Sequence, residues 1–253
     1  MTDSKTAYAI SSMWIPWKIA RKELRVIGRK RSIIFYNVGL PFLAAVAFSL
    51  EVKNLTASGI PGSISLGAES FIYVFVILAT VLPSTIAAYS IVGEKIEKTL
   101  EPLLATPTTD EEILLGKGIA AFVLPLLSTW SAASIFMAAT DYILRSAGLS
   151  YYYFPNWNAG IMLLLLAPLA AVLSVEVAVI ASSRVSDVRG ANQIAGLMFI
   201  PFVVVFFLAT QGIFTFTIGN LLIFSLVVLI FDLGLFFVSK STFNREEILT
   251  KWK

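Results

Sequence analysis

Six stretches of this chain are long and apolar enough to cross a lipid bilayer as helices. About 20 mostly apolar residues in a helix span about 30 Å of hydrocarbon. Residues are 57% hydrophobic and only 14% charged, whereas a soluble domain is about 25% charged. The sequence therefore predicts an all-α membrane protein, with a transmembrane domain over residues 32–240. The predicted spans cover residues 33–50, 70–92, 113–139, 159–182, 191–210 and 218–239.

The distribution of positive charge predicts the orientation of these spans. Of the 19 lysines and arginines, all but Lys53 and Arg145 fall in one alternating set of segments between the spans. Such segments face the cytoplasm in multi-pass proteins. We therefore expect a protein of the cell membrane with both termini cytoplasmic, including a tail at residues 241–253. Asn54 begins a glycosylation sequon on the predicted outer side, which is a weak signal on its own.

The N-terminal arm, residues 1–31, has the pattern of an amphipathic helix. Apolar residues recur at helical spacing at Trp17, Ala20, Leu24 and Ile27. Most of the basic side chains lie off that face, namely Lys18, Arg21, Lys22, Arg25 and Arg29. A helix of this kind lies in the headgroup plane and binds anionic membrane lipids. We therefore expect an interfacial helix, and neither a cleaved signal peptide nor a nucleic-acid-binding arm.

The segment between spans 2 and 3 is a charged interruption, GEKIEKTLEPLLATPTTDEEILLGK (93–117). Pro102 suits the first turn of a helix, and Pro107 ends one, so together they predict a short helix. Its apolar face would consist of Leu100, Leu103 and Leu104. The pair Thr109 and Glu112 fits a capping box at the start of span 3. From the residues alone, this elbow is either an ordinary capped loop or a docking site for a partner protein.

The elbow resembles the signature of ABC-2 type permeases, the membrane subunits of a class of ATP-driven exporters. The matching positions are Glu94, residues 99–107 (TLEPLLATP), Glu112-Ile113 and Gly116-Lys117. Two further pieces are similar to the family: ARKELR (20–25) in the N-terminal arm, followed by Pro41, and SSRVSDVRGANQIAGL (182–197) at the second cytoplasmic turn. The resemblance covers most of the chain in the same order.

This resemblance implies a fold similar to type V ABC exporters and a coupling helix that docks into a separate ATPase subunit. ATP and magnesium would be bound by that ATPase, and two permease chains, as a homodimer or with a close paralogue, would face each other along spans 2 and 5. The short link at residues 211–217 departs from relatives that carry a large outer domain. The coupling residues implied are Glu94, Thr99, Leu100, Glu101, Leu103, Leu104, Thr106 and Pro107.

Catalysis by the chain itself is not expected. With no histidine or cysteine, it lacks the usual general bases, thiolates and ligands for most metal sites. A phosphate-binding loop requires Gly-x4-Gly-Lys-Ser/Thr. Gly116-Lys117 has Glu111 in place of the first glycine and Gly118 in place of the hydroxyl residue.

Two acidic residues lie inside predicted spans, Glu176 in span 4 and Asp232 in span 6. Each stands eight residues before a basic residue, Arg184 or Lys240, so both are expected about 12 Å from the cytoplasmic end. Intramembrane acids are candidate functional sites. They are either structural, as protonated or hydrogen-bonded groups, or part of a cation or proton pathway. An ion- or proton-coupled carrier using this pair is the alternative to a permease subunit, and a membrane anchor without transport is a third.

Overall fold

The computed structural model describes residues 3–57, 61–96, 108–149, 153–154, 156–185 and 187–242, and the regular elements in these ranges are all helices. Six of them are long and apolar enough to cross a membrane. The prediction of an all-helical protein with six such helices is therefore confirmed. The apolar segments are Arg31–Ala57, Glu69–Glu94, Glu111–Ser146, Trp157–Ser183, Val188–Thr210 and Ile218–Ser239, called spans 1 to 6.

The helices extend beyond most of the predicted spans. An N-terminal helix, Asp3–Ile27, precedes span 1. Span 1 is built from Arg31–Ile34, a π-helical turn at Phe35–Gly39 and Leu40–Ala57. Spans 2 and 3 belong to Pro61–Ile96 and Asp110–Ser146. The remaining helices are Trp157–Ile161, the π-helical turn Met162–Leu166 and Ala167–Arg184 for span 4, Val188–Gly196 and Phe199–Thr210 for span 5, and Ile218–Thr242 for span 6.

Spans 2 and 4 form the centre of the bundle. About 67% of the residues in their most apolar windows are buried, against 17% to 22% in spans 1, 5 and 6. Far from the N-terminal helix, an aromatic cluster joins spans 1, 2 and 3. Phe48 stacks on Phe71 with ring centroids 4.9 Å apart, and Phe75 lies 5.7 Å from Phe136. Spans 1, 5 and 6 therefore present most of the apolar surface that a bilayer or another chain would cover.

The two π-helical turns each precede a proline, and span 3 satisfies a carbonyl freed by each proline. Pro41 cannot donate to the carbonyl of Asn37, and the Ser128 hydroxyl lies 2.7 Å from that oxygen. In the wider π-helical turn before Pro168, the carbonyl left without a backbone donor is that of Leu163. The Trp130 indole N–H donates to it at 2.7 Å. Neighbouring helices thus supply the donors that make these prolines tolerable in an apolar environment.

Candidate functional site

A buried ion network lies where the N-terminal helix meets spans 2 and 3. The Lys117 side chain, in span 3, is only 2% exposed, and its ammonium lies 3.3 Å from Glu23 Oε1 and 2.6 Å from Glu94 Oε2. It also donates to the Ser90 carbonyl at 2.8 Å. The Ser90 hydroxyl in turn donates to Glu23 Oε2 at 3.1 Å. One lysine thus joins three separate helices through groups that are themselves mostly hidden from solvent.

The network extends to the surface through the second oxygen of Glu94. Lys22 pairs with Glu94 Oε1 at 3.3 Å, and its side chain is 56% exposed. Two lysines therefore balance two carboxylates, which limits the electrostatic cost of burying this cluster. Because Glu23 and Lys22 both belong to the N-terminal helix, that helix is attached to spans 2 and 3 by charge as well as by apolar packing.

Gly116 allows the N-terminal helix to approach span 3 closely. A Cβ atom at Gly116 would lie 2.6 Å from Ile19 Cβ and 2.8 Å from the Pro16 carbonyl oxygen. Neither atom is the end of a flexible side chain, so only glycine fits this position without moving a helix. Gly116 and Lys117 therefore have complementary roles: the glycine removes the steric barrier, and the lysine holds the helix that comes into contact.

The predicted face of the N-terminal helix agrees in part with its packing. Ala20 and Ile27 are buried, and Leu24 is half-buried, whereas Trp17 is exposed. The basic side chains at Lys18, Arg21, Lys22, Arg25 and Arg29 are all exposed. The buried Glu23 lies on the same face as Ala20 and Ile27. The expectation that this helix lies at a lipid interface stays a prediction.

The predicted coupling residues from Thr99 to Pro107 lie outside the described residues. Glu94 is described, and its carboxylate belongs to the ion network. On the other side of the elbow, the Thr109 hydroxyl accepts from the Glu112 backbone N–H at 3.2 Å, and Glu112 Oε2 accepts from the Thr109 N–H at 2.9 Å. The predicted capping box is therefore confirmed. The docking role of the elbow stays a prediction.

Glu176 and Asp232 lie on neighbouring helices, in spans 4 and 6. These two spans pack against each other along the helices Ala167–Arg184 and Ile218–Thr242. Asp232 is only 5% exposed, and among the described residues neither of its carboxylate oxygens has a hydrogen-bond partner. Glu176 Oε2 is likewise buried without one. Nearby Ser174 donates to its own helix, at the Ala171 carbonyl, and does not satisfy either acid.

A cavity of about 320 Å³ opens beside Glu176, between spans 3, 4 and 6. Most of its walls are apolar, and Glu111 and Ser239 lie at the end near the predicted cytoplasmic side. Two lining residues, Leu115 and Phe236, are about half exposed, so the cavity is accessible from the outer surface of the bundle. The described residues that line it are Glu111, Leu114, Leu115, Gly118, Ile119, Phe122, Val172, Val175, Glu176, Val179, Phe236 and Ser239.

The pairing of Lys117 with Glu23 was not anticipated from the sequence. One signal was present: Glu23 is an acid in a basic arm, and it falls on the same helical face as Ala20 and Ile27. A charged residue on an apolar face needs a partner. Nothing in the sequence indicates which of the other helices supplies that partner.

In comparisons with known proteins, no family model and no curated sequence matches the chain. Its class therefore rests on the structure, in which six helices of sufficient length and hydropathy define a multi-pass helical membrane protein.

Proposed function

We propose that the chain is the permease subunit of an ABC-type exporter in the cell membrane, with both termini cytoplasmic. A separate ATPase subunit, which binds ATP and magnesium, docks on the elbow between spans 2 and 3. The proposal rests on the motif resemblance of residues 93–117 and on the six-span fold. Glu94, at one end of the elbow, belongs to the ion network. This gives a physical reason why docking of an ATPase at the elbow would move the helices of the bundle.

The observation that carries the proposal is the connection between the two ends of the elbow. Glu94 at the end of span 2 pairs with Lys117 near the start of span 3. Lys117 is held to the N-terminal helix through Glu23, and Glu94 is held to it through Lys22. A force applied to the predicted short helix between them would therefore reach three helices at once. Such a rigid junction suits a device that transmits the motion of a bound ATPase to the transmembrane bundle.

Span 5 carries an exposed apolar surface that suits contact with a second permease chain. Exposed apolar side chains recur along this span at helical spacing, at Leu197, Ile200, Val204 and Phe207. Span 2 is mostly covered by its own chain, so span 5 offers the larger free surface of the two spans implied to line the path. An apolar stripe of this kind suits contact between two copies around a translocation path.

The docking role is tested by the paired substitution Leu103→Asp and Leu104→Asp. We expect this variant to fold and insert normally but to lose its ATPase subunit on purification, since two charges on an apolar contact face cannot be buried without partners. Control substitutions Lys53→Asp and Arg145→Asp, in the predicted outer loops, should leave the complex intact. A complex that survives the leucine substitutions contradicts the docking role.

The specific observation for a second candidate, an ion- or proton-coupled carrier, is that Glu176 and Asp232 lie on packed spans, with buried carboxyl oxygens that lack a hydrogen-bond partner among the described residues. In that case the variant with Glu176→Gln and Asp232→Asn would lose transport driven by an ion gradient in vesicles without ATP. A permease subunit transports only with its ATPase and ATP. ATP-independent transport by the wild-type chain alone would favour the carrier and exclude the first proposal.

A further inference from the structure

The cavity between spans 3, 4 and 6 runs parallel to the helix axes. Its lining residues recur three and four positions apart on each helix, so each wall is one continuous helix face. On span 3 this face extends from Glu111 to Phe122, which is about 16 Å at 1.5 Å rise per residue. On span 4 it extends from Val172 to Val179, about 10 Å. The cavity is therefore elongated along the direction in which lipid chains lie in a bilayer.

The walls of the cavity are apolar, and its polar residues lie mostly at one end. Eight of the twelve described lining residues have apolar side chains, and Gly118 has no side chain. Glu111 and Ser239 lie at the end near the elbow, close to where the helix of span 3 begins and the helix of span 6 ends. Glu176 lies between the two ends, on span 4. A molecule that fills the cavity must therefore be mainly hydrocarbon, with its polar group at the end near the elbow.

The cavity is open along one side. Leu115 and Phe236, at its edges on spans 3 and 6, are about half exposed, whereas Val175 and Val179 on span 4 are buried. Span 4 therefore forms the floor, and the open side lies on the outer surface of the bundle. A bilayer around the bundle would cover this opening, so a lipid chain can enter it without crossing water.

We propose that the cavity binds one acyl chain of a phospholipid from the leaflet on the side of the elbow. A bilayer core is about 30 Å thick, so the chains of one leaflet span about 15 Å, close to the length of the wall on span 3. The chain lies along the apolar walls and restores the dispersion contacts that an empty cavity would forfeit. The headgroup stays at the end of the cavity that contains Glu111 and Ser239.

A helix from another chain is too large to occupy the cavity. A helix with its side chains is about 10–12 Å in diameter, so a 16 Å length fills about 1,250 Å³ or more. The volume of the cavity is about 320 Å³. The described lining residues include none from spans 2 and 5, which the proposed function assigns to the translocation path. The bound lipid is therefore a ligand of the bundle itself, and the inference does not depend on an ATPase partner.

The position and direction of the chain are tested by photolabelling. The full chain is reconstituted in nanodiscs with a phospholipid that carries a diazirine group either near the carbonyl or at the end of one acyl chain. Labelled residues are mapped by mass spectrometry. We expect the first lipid to label around Leu115 and the second around Phe122, both more strongly than Ile230, which is 61% exposed outside the cavity. Labelling that follows exposure alone, or that does not move with the diazirine, overturns the proposal.

A matched pair of substitutions tests the volume of the cavity. Gly118→Leu adds an apolar side chain to the wall of span 3, where a Cβ has room because the nearest atom, Val175 Cγ1, is 3.8 Å away. The rest of the leucine side chain fills the cavity, and we expect labelling around Phe122 to fall about tenfold. Gly234→Leu makes the same change at an exposed glycine of span 6 that does not line the cavity, and it should label as wild type does. Equal labelling of the two variants overturns the proposal.

Two measurements decide the result if Gly118→Leu protein fails to fold. The labelling pattern of the wild-type chain tests the direction of the lipid without any substitution. Oxidation of Leu115→Cys protein in nanodiscs tests whether a second copy of the chain covers the opening. A disulfide-linked dimer without lipid labelling in the cavity overturns the proposal. A monomer that keeps the lipid labelling supports it.

Discussion

The contact between Gly116 and the N-terminal helix permits a sharp test of how that helix is held. In the substitution Gly116→Ala, the new methyl group would lie 2.6 Å from Ile19 Cβ and 2.8 Å from the Pro16 carbonyl oxygen. Carbon atoms in good contact are about 3.5–4.0 Å apart, so the N-terminal helix must move away by about 1 Å. The ion pair between Lys117 and Glu23, now 3.3 Å, would then lengthen to about 4.3 Å and weaken.

A matched substitution on the same helix isolates the steric part of this effect. Gly118→Ala places its methyl group 3.8 Å from Val175 Cγ1, an ordinary contact distance. Both substitutions gain the same helix propensity, about 1 kcal/mol over glycine, so this gain cancels in the comparison. What remains is the cost of overpacking, about 1–3 kcal/mol. We therefore expect the Gly116→Ala protein to be less stable than the Gly118→Ala protein by about 1–3 kcal/mol.

Two measurements check this expectation. Unfolding by denaturing detergent in mixed micelles gives the difference in stability. Since the chain contains no cysteine, spin labels can be attached to Lys18→Cys and Leu115→Cys in both proteins to measure the distance between the two helices. A longer or broader distance only for Gly116→Ala supports the account. Equal stability and equal distances in the two variants would refute the close-contact role of Gly116.

Two further pairs of substitutions test the polar contacts inside the bundle. Lys117→Met should cost about 3–5 kcal/mol, because it leaves a buried carboxylate without its cation, whereas Lys22→Met at the exposed end of the network should cost under about 1 kcal/mol; equal losses in detergent unfolding would contradict the network. Trp130→Phe should cost about 1–3 kcal/mol by leaving the Leu163 carbonyl without a donor. Adding Pro168→Ala, which supplies a backbone N–H, should recover part of that loss, and strict additivity in the same unfolding assay would argue against the assigned donor.

Much of the helical architecture was predictable because bilayer thickness dictates the length of a span. A lipid-exposed segment must satisfy its own backbone, so a run of about 20 apolar residues has few alternatives to a helix. The start of span 3 was predictable for a local reason as well. Thr109 and Glu112 are only three residues apart, and their capping contacts need no information from the rest of the chain.

The packing of the spans was harder to predict from the sequence, because it depends on which helices become neighbours. Lys117 and Glu23 are 94 positions apart in sequence, and only the folded bundle brings them together. Counting residues from the basic ends of spans 4 and 6 predicted a common depth for Glu176 and Asp232. It could not show that those two spans pack against each other, nor that a cavity opens beside Glu176.

The most direct test of the proposed function is a crosslink from the elbow to an ATPase. Leu103→Cys provides a unique thiol in this cysteine-free chain, and Lys53→Cys in the predicted outer loop provides the control. Both are treated in native membranes with a short bifunctional reagent, and adducts are identified by mass spectrometry. The account predicts that Leu103→Cys, and not Lys53→Cys, forms one abundant adduct with a protein that carries a phosphate-binding loop. Absence of that adduct, or equal adducts from both positions, would contradict it.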